Sequence, residues 1–144
     1  MPDIKPFIRK ANYYETDQMG IIHHANYIHW MEEARVDFME QMGFGYDKSV
    51  NSGIDIAVLE VKCRYKSMVK FADTLAIEVW ISELTPVKMV VDYKISDAVS
   101  GELRTEAQTT HCFLDGETHR IQRLNKRLPE LYELFSACVI KREK

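Results

Sequence analysis

The sequence predicts an α+β fold: a curled antiparallel sheet of about five strands wrapped around a long central helix, with a short C-terminal helix. Three observations carry this. From Ala25 to about Met42, apolar residues recur at helical spacing. From Ala57 to Leu114 the period drops to two, in successive runs. The connections between those runs are short, and short connections favour antiparallel neighbours because a parallel crossover needs a dozen or more residues.

Taken in order, residues 7 to 13 read as a first strand and Tyr14 to about His23 as a loop. In the helix, Tyr27, Met31, Ala34, Phe38 and Met42 fall on one face. Ile28, Trp30, Val36 and Met39 widen the apolar surface, and a helix apolar on several sides is normally wrapped by other structure. Gly43 and Gly45 supply the stop signal. Ala57, Leu59, Val61, Cys63 and Tyr65 then alternate with Val58, Glu60, Lys62, Arg64 and Lys66, a half-buried strand. Leu75 to Ile81 repeats the alternation, and Val87 to Ile95 repeats it after the Thr85-Pro86 break. Leu103 to Leu114 alternates less cleanly, but its threonines favour a strand. Arg127 to Cys138 carries Leu128, Leu131, Leu134 and Phe135 at the spacing of a short amphipathic helix. The sheet's second face and open edges need covering, so self-association as a homodimer or homotetramer is expected.

A chain of 144 residues is long enough for one core and short for two, so residues 1–144 are read as one domain. Net charge is −3, which gives no general attraction to nucleic acid or to an anionic membrane. No apolar run approaches the ~20 residues that span a bilayer, and the N-terminus lacks the apolar core of a signal peptide. Cys63, Cys112 and Cys138 are scattered and odd in number, better read as reduced core residues than as a disulfide framework. A cytoplasmic protein is the expectation.

Chemistry concentrates in Tyr14 to Trp30, Tyr-Glu-Thr-Asp-Gln-Met-Gly-Ile-Ile-His-His-Ala-Asn-Tyr-Ile-His-Trp. An acid, Asp17, stands seven residues before His24 at the start of the helix, with Gly20 between them. Extended by Tyr13 and continued by Glu-Glu-Ala-Arg at Glu32 to Arg35, this stretch resembles the hot-dog-fold acyl-CoA thioesterases. Nearest is the 4-hydroxybenzoyl-CoA thioesterase family, including its Tol–Pal-associated branch. The specific part runs from about Tyr13 to Arg35, and the strands that follow match in order and approximate length. The resemblance implies an acyl-CoA substrate, no cofactor, Asp17 as general base or nucleophile, and a His24 backbone amide that binds the thioester oxygen. Many members carry Tyr-His where this chain has His23-His24, and a proline near the position of Met68.

The chemistry is consistent with those groups. A thiol leaving group has a pKa near ~8.5 and departs as thiolate without a strong acid. A nucleophile and a site for the developing oxyanion remain to be supplied. Asp17 can deprotonate water or attack directly, and the first amides of a helix lack intrahelical partners and sit at its positive end. From Ala25 to Met31 there is no Asp or Glu to compete.

Plainer roles stand beside these. Thr-Asp-Gln-Met-Gly is good turn chemistry for Asp17. The His24 side chain can be idle, Tyr13 can hydrogen-bond near the site or simply pack, and Asn26 reads as a helix cap. Glu32 and Glu33 are rival acids, with solvation or pairing to Arg35 as the simpler duty. Lys62, Arg64, Lys66 and Lys70, with Arg120 and Arg123, are candidate contacts for CoA phosphates. His23, His24 and His29 do not form His-Glu-x-x-His. Phosphate-loop, dinucleotide and serine-elbow motifs are missing, as is the His-x-x-x-x-Pro-Gly helix entry of hot-dog dehydratases. Two functions are therefore carried forward: an acyl-CoA thioesterase, or a non-catalytic acyl-CoA-binding or interaction module using the same groove.

Overall fold

Four long strands build the sheet of the computed structural model, which describes residues 3–17 and 19–140, the side chains of Tyr46 and Val50 apart. In the strand Met89–Asp97, Met89, Val91, Tyr93 and Ile95 are buried on the inner face. Gln18, between Asp17 and Gly20, lies outside the described residues.

The strands are β1 (Phe7–Lys10), β2 (Ile54–Tyr65), β3 (Thr74–Leu84), β4 (Met89–Asp97) and β5 (Leu103–Asp115). Their order across the sheet is β1-β3-β4-β5-β2, and every pair is antiparallel. The curled sheet matches the expected α+β hot-dog architecture. Helix α1 (Ala25–Met42) lies against β1 and β3 and buries Tyr27, Trp30, Met31, Ala34, Phe38 and Met42. The predicted stripe is thus the core face, and Trp30, Met31 and Phe38 belong to the core cluster. Gly43 ends the helix at φ 90°, left-handed backbone that glycine adopts without steric cost. Ile28 and Val36 of α1 remain exposed.

Several boundaries differ from the sequence expectation, each for a local reason. The first strand stops at Lys10, short of residue 13, because the Asn12 amide donates to the Glu15 carboxylate and the chain turns into a 3-10 helix, Tyr13–Glu15. β4 begins at Met89 because the Thr85 hydroxyl accepts the Val87 and Lys88 amides, which makes Val87 a turn residue. A six-residue helix, α2 (Tyr46–Asn51), follows α1. The C-terminal helix divides into α3 (Leu124–Arg127) and α4 (Pro129–Ala137). Pro129 drives Leu128 out of helical backbone, to φ −145° and ψ 72°.

β2 is a twelve-residue strand hydrogen-bonded on one side only, to β5, and its register slips at Leu59, between Val58 and Glu60. Val58, Leu59 and Tyr65 are exposed along it. Among the described residues, no helix is long and apolar enough to cross a membrane.

Candidate active site

The chain between β1 and α1 doubles back as a small hairpin. The Asp17 amide donates to the Ile21 carbonyl at 2.8 Å, and the His23 amide to the Glu15 carbonyl at 2.9 Å. Gly20 turns the tip at φ 75°. The hairpin is stitched to the β2–β3 connection: the Ile22 amide donates to the Val69 carbonyl at 2.9 Å, and Ile21 bridges to Lys70. Residues 17 and 24, separated by a glycine loop in sequence, are thereby held on one folded-back segment.

Asp17 is exposed at the hairpin tip. Its Oδ1 accepts the Met19 amide at 2.8 Å and the Ile21 amide at 3.3 Å. The turn chemistry legible in Thr-Asp-Gln-Met-Gly is therefore present, and it occupies one carboxylate oxygen. Oδ2 accepts no hydrogen bond from the described residues.

His24 is the residue that precedes α1. Its own amide donates to no described group, whereas the amide before it is held by Glu15 and the one after it, Ala25, donates to Nδ1 of His23 at 3.2 Å. Asn26 is not the cap expected of it. It lies inside the first turn, and its Nδ2 donates to the Glu15 carbonyl at 2.9 Å. The His23 ring caps instead. With no acid in the first turn of α1, an unpartnered amide at the positive end of an 18-residue helix faces no competing carboxylate from its own helix.

The His24 ring stacks on Tyr65 at 4.5 Å, and Tyr65 meets the edge of Tyr27 at 5.0 Å. Partial burial, then the neighbouring Cys63, pushes the Tyr65 hydroxyl up to about 12, so it stays protonated at neutral pH. Tyr13 is 75% exposed and packs edge-on against Phe71 at 5.6 Å; its carbonyl, not its hydroxyl, holds Thr16. Tyr13 thus belongs to the same loop, but its hydroxyl has no described partner.

Of the rival acids, Glu32 is exposed, in keeping with the solvated reading, whereas Glu33 has a different partner from the one expected. Glu33 pairs with Arg9 at 2.7 Å rather than with Arg35. Arg35 donates to the Tyr93 hydroxyl at 2.9 Å. Glu32 and Arg35, with Val36, Met39, Ile56 and Val91, line a cavity of about 440 Å³ between α1 and the sheet. Arg35 stands ten residues beyond Ala25, about 15 Å along the helix axis from its mouth. Lys62, Arg64, Lys66 and Lys70 are all exposed, and Lys62 is engaged by Glu60 at 3.1 Å. Among the described residues, no three His, Cys, Asp or Glu side chains gather as a metal site.

Sequence reasoning missed Glu15, the only carboxylate in the chain's described core, 2% exposed. It was hidden among loop residues between Tyr14 and Thr16. The signal that reveals it is the spacing Asn12-x-x-Glu15, a capping-box pattern in which the acid reaches back to the first amide.

The sequence matches the family model described as the thioesterase-like superfamily over residues 12–134. A Bacillus subtilis (strain 168) protein, named provisionally as the acyl-CoA thioesterase YneP, is 31% identical over 126 residues, which is 88% of this chain and 91% of that one. The crystal structure of a DHNA-CoA thioesterase from Staphylococcus aureus superposes with a TM-score of 0.87 at 29% identity, covering 92% of this chain and 89% of that one. A 1,4-dihydroxy-2-naphthoyl-CoA thioesterase from Synechocystis, at 16% identity, shares the fold with a TM-score of 0.80 over 92% of this chain and 95% of its own. Nothing in these relatives singles out the Tol–Pal-associated branch. Sheet order, the buried helix and the match across most of the sequence agree: the chain belongs to the thioesterase-like superfamily of hot-dog-fold thioester hydrolases.

Proposed function

We propose that this protein hydrolyses an acyl- or aroyl-CoA thioester to the free acid and CoA, with Asp17 as base or nucleophile and the His24 amide as oxyanion donor. One observation supports the reading: Asp17 and the only amide at the α1 mouth without a described acceptor belong to one hydrogen-bonded hairpin, Asp17 at its tip and His24 just past its base. In the reaction, Oδ2 of Asp17 either takes a proton from a water whose oxygen adds to the carbonyl carbon, or adds there itself to form a mixed anhydride that water then hydrolyses to the free acid. The carbonyl oxygen gains negative charge against the His24 amide and the helix dipole, and the C–S bond breaks to release thiolate. Lys66 and Lys70 are exposed beside this loop system and supply positive charge for the CoA phosphates. The names of relatives, acyl-CoA thioesterase and DHNA-CoA thioesterase, put both aliphatic and aromatic thioesters in the test panel.

A second reading is favoured by the engagement of Oδ1 with Met19 and Ile21: Asp17 is then a turn residue only, in a module that binds acyl-CoA without cleaving it. Asp17→Asn separates the two, because asparagine keeps an Oδ1 acceptor for the turn and loses the charge. Thiol release from short, long and aromatic acyl-CoAs is expected to fall by ~10²–10⁴ with the fold retained by circular dichroism. Wild-type turnover in a folded Asp17→Asn protein would reject the catalytic role.

The assembly proposed is a homodimer or homotetramer built on the open β2 edge and the exposed Ile28 and Val36 of α1.

A further inference from the structure

We infer that Glu15 is a positioning residue of this site, fixing Asp17 relative to the His24 amide; the inference rests on the catalytic reading above. Its carboxylate accepts four hydrogen bonds from three parts of the chain. Arg9 of β1 donates to both oxygens at 3.0 Å each, the Asn12 amide to Oε1 at 2.8 Å, and Trp30 Nε1 of α1 to Oε2 at 2.7 Å. A carboxylate has about four lone-pair sites, so Glu15 is saturated and leaves nothing for substrate or water. It acts through its neighbours.

Its carbonyl completes the arrangement by accepting the His23 amide and Asn26 Nδ2, both at 2.9 Å. Glu15 therefore clamps the residue directly before His24, and it stands two positions before Asp17. Strand β1, the hairpin base and the first two turns of α1 all meet at this one residue. The Arg9 guanidinium lies 5.7 Å from the centroid of the Trp30 ring and carries Glu33 as its outer partner at 2.7 Å. Glu33 thus shares Arg9 without touching the hairpin. A carboxylate buried to 2% exposure must be fully partnered to be tolerated. Here its partners are spread over the elements whose relative placement sets the distance between acid and oxyanion donor. Misplacement by about 1 Å costs on the order of 10²-fold in rate.

The test measures thiol release by the full chain for Glu15→Gln, Glu33→Gln, Asn26→Ala, Asp17→Asn and the Glu15→Gln/Asp17→Asn pair, with melting temperatures alongside. Glu15→Gln is expected to lower kcat about 10- to 100-fold with KM within about threefold. Glu33→Gln should hold kcat within about twofold, and the pair should fall well short of the product of the two single losses, since part of what Glu15 does is to place a carboxylate that Asp17→Asn has already neutralised. Wild-type kcat in Glu15→Gln overturns the proposal. So does a pair that loses the full product of the single effects, or a Glu33→Gln enzyme that slows as much as Glu15→Gln. Should Glu15→Gln fail to fold, Asn26→Ala decides: it loosens the carbonyl arm and leaves the buried charge intact, and an unchanged kcat overturns the proposal. No turnover by the wild type, or full turnover by Asp17→Asn, removes the catalytic reading itself and is read separately from these outcomes.

Discussion

His111 is a base that its surroundings keep neutral. It is fully buried on β5, and its Nε2 lies 2.7 Å from the Thr109 hydroxyl, which lies 2.7 Å from the Tyr93 hydroxyl, which accepts from Arg35. Arg35 can only donate, so the Tyr93 hydroxyl accepts from it and keeps its own proton to give to Thr109, an arrangement in which Thr109 can donate to Nε2 of a neutral His111. Burial first, and the Arg35 charge second, lower the His111 pKa to about 4 from its ordinary 6.5. In this pH range the unfolded chain binds the proton and the folded chain does not, so stability declines as pH falls from about 6.5 to about 4 and levels off below. The contribution is on the order of 3 kcal/mol. In His111→Gln, which keeps an acceptor for Thr109 and cannot titrate, urea midpoints measured across that range should lose most of this slope. An unchanged slope would assign the acid sensitivity to other groups. At this scale the sequence was half legible. The proposed pair, Asp17 and His24, stands out because an acid before a helix mouth is a chemical pattern, and the structure puts the two on one folded-back segment. Glu15 and His111 do not, because burial of a polar group is decided by Arg9, Trp30 and Arg35, from strands and helices distant in the chain.

Helix α1 is the element the sequence specified best. A stripe of five residues at spacings of three and four, closed by a glycine, fixes both its face and its end, since such a stripe has only one way to be buried. Gly43→Ala tests the stop signal. A Cβ there would meet no atom within 4 Å, so the cost is backbone conformation alone, the left-handed φ of 90°. A loss of about 1 kcal/mol is expected, seen as a melting temperature lower by about 3 °C, with thioesterase activity unchanged at low temperature. The long strands, nine to thirteen residues each, were legible through runs of period-two alternation, less clean in β5 than in the others. Helices α2 and α3 were not: six and four residues are too few to display a 3.6-residue period. The short β1 was overestimated because its end is set by the side chain of Glu15, which no local propensity reports.

For the whole molecule, the unequal edges of the sheet decide what it does in company. β1 exposes four residues of edge, β2 twelve, and β2 also carries exposed Val58 and Leu59. An open edge this long and apolar seeks a partner, so sedimentation velocity at micromolar concentration is expected to show an oligomer. Leu59→Lys should shift that population toward monomer while leaving the monomer folded; a wild-type protein that sediments as a monomer would reject the proposed assembly. The overall plan of sheet and helix was legible in the sequence. The unpaired edge was legible only as a need, because strand order is set by which strands meet in space.

The slipped register at Leu59 has a consequence for crowding. One extra residue bends β2 and throws its two halves out of phase, so an approaching straight strand can lie flush with 54–58 or with 60–65 but not with both. Endless stacking of chain upon chain, the hazard of any bare strand, is thereby discouraged, while a neighbour bearing the same kink in the opposite sense fits.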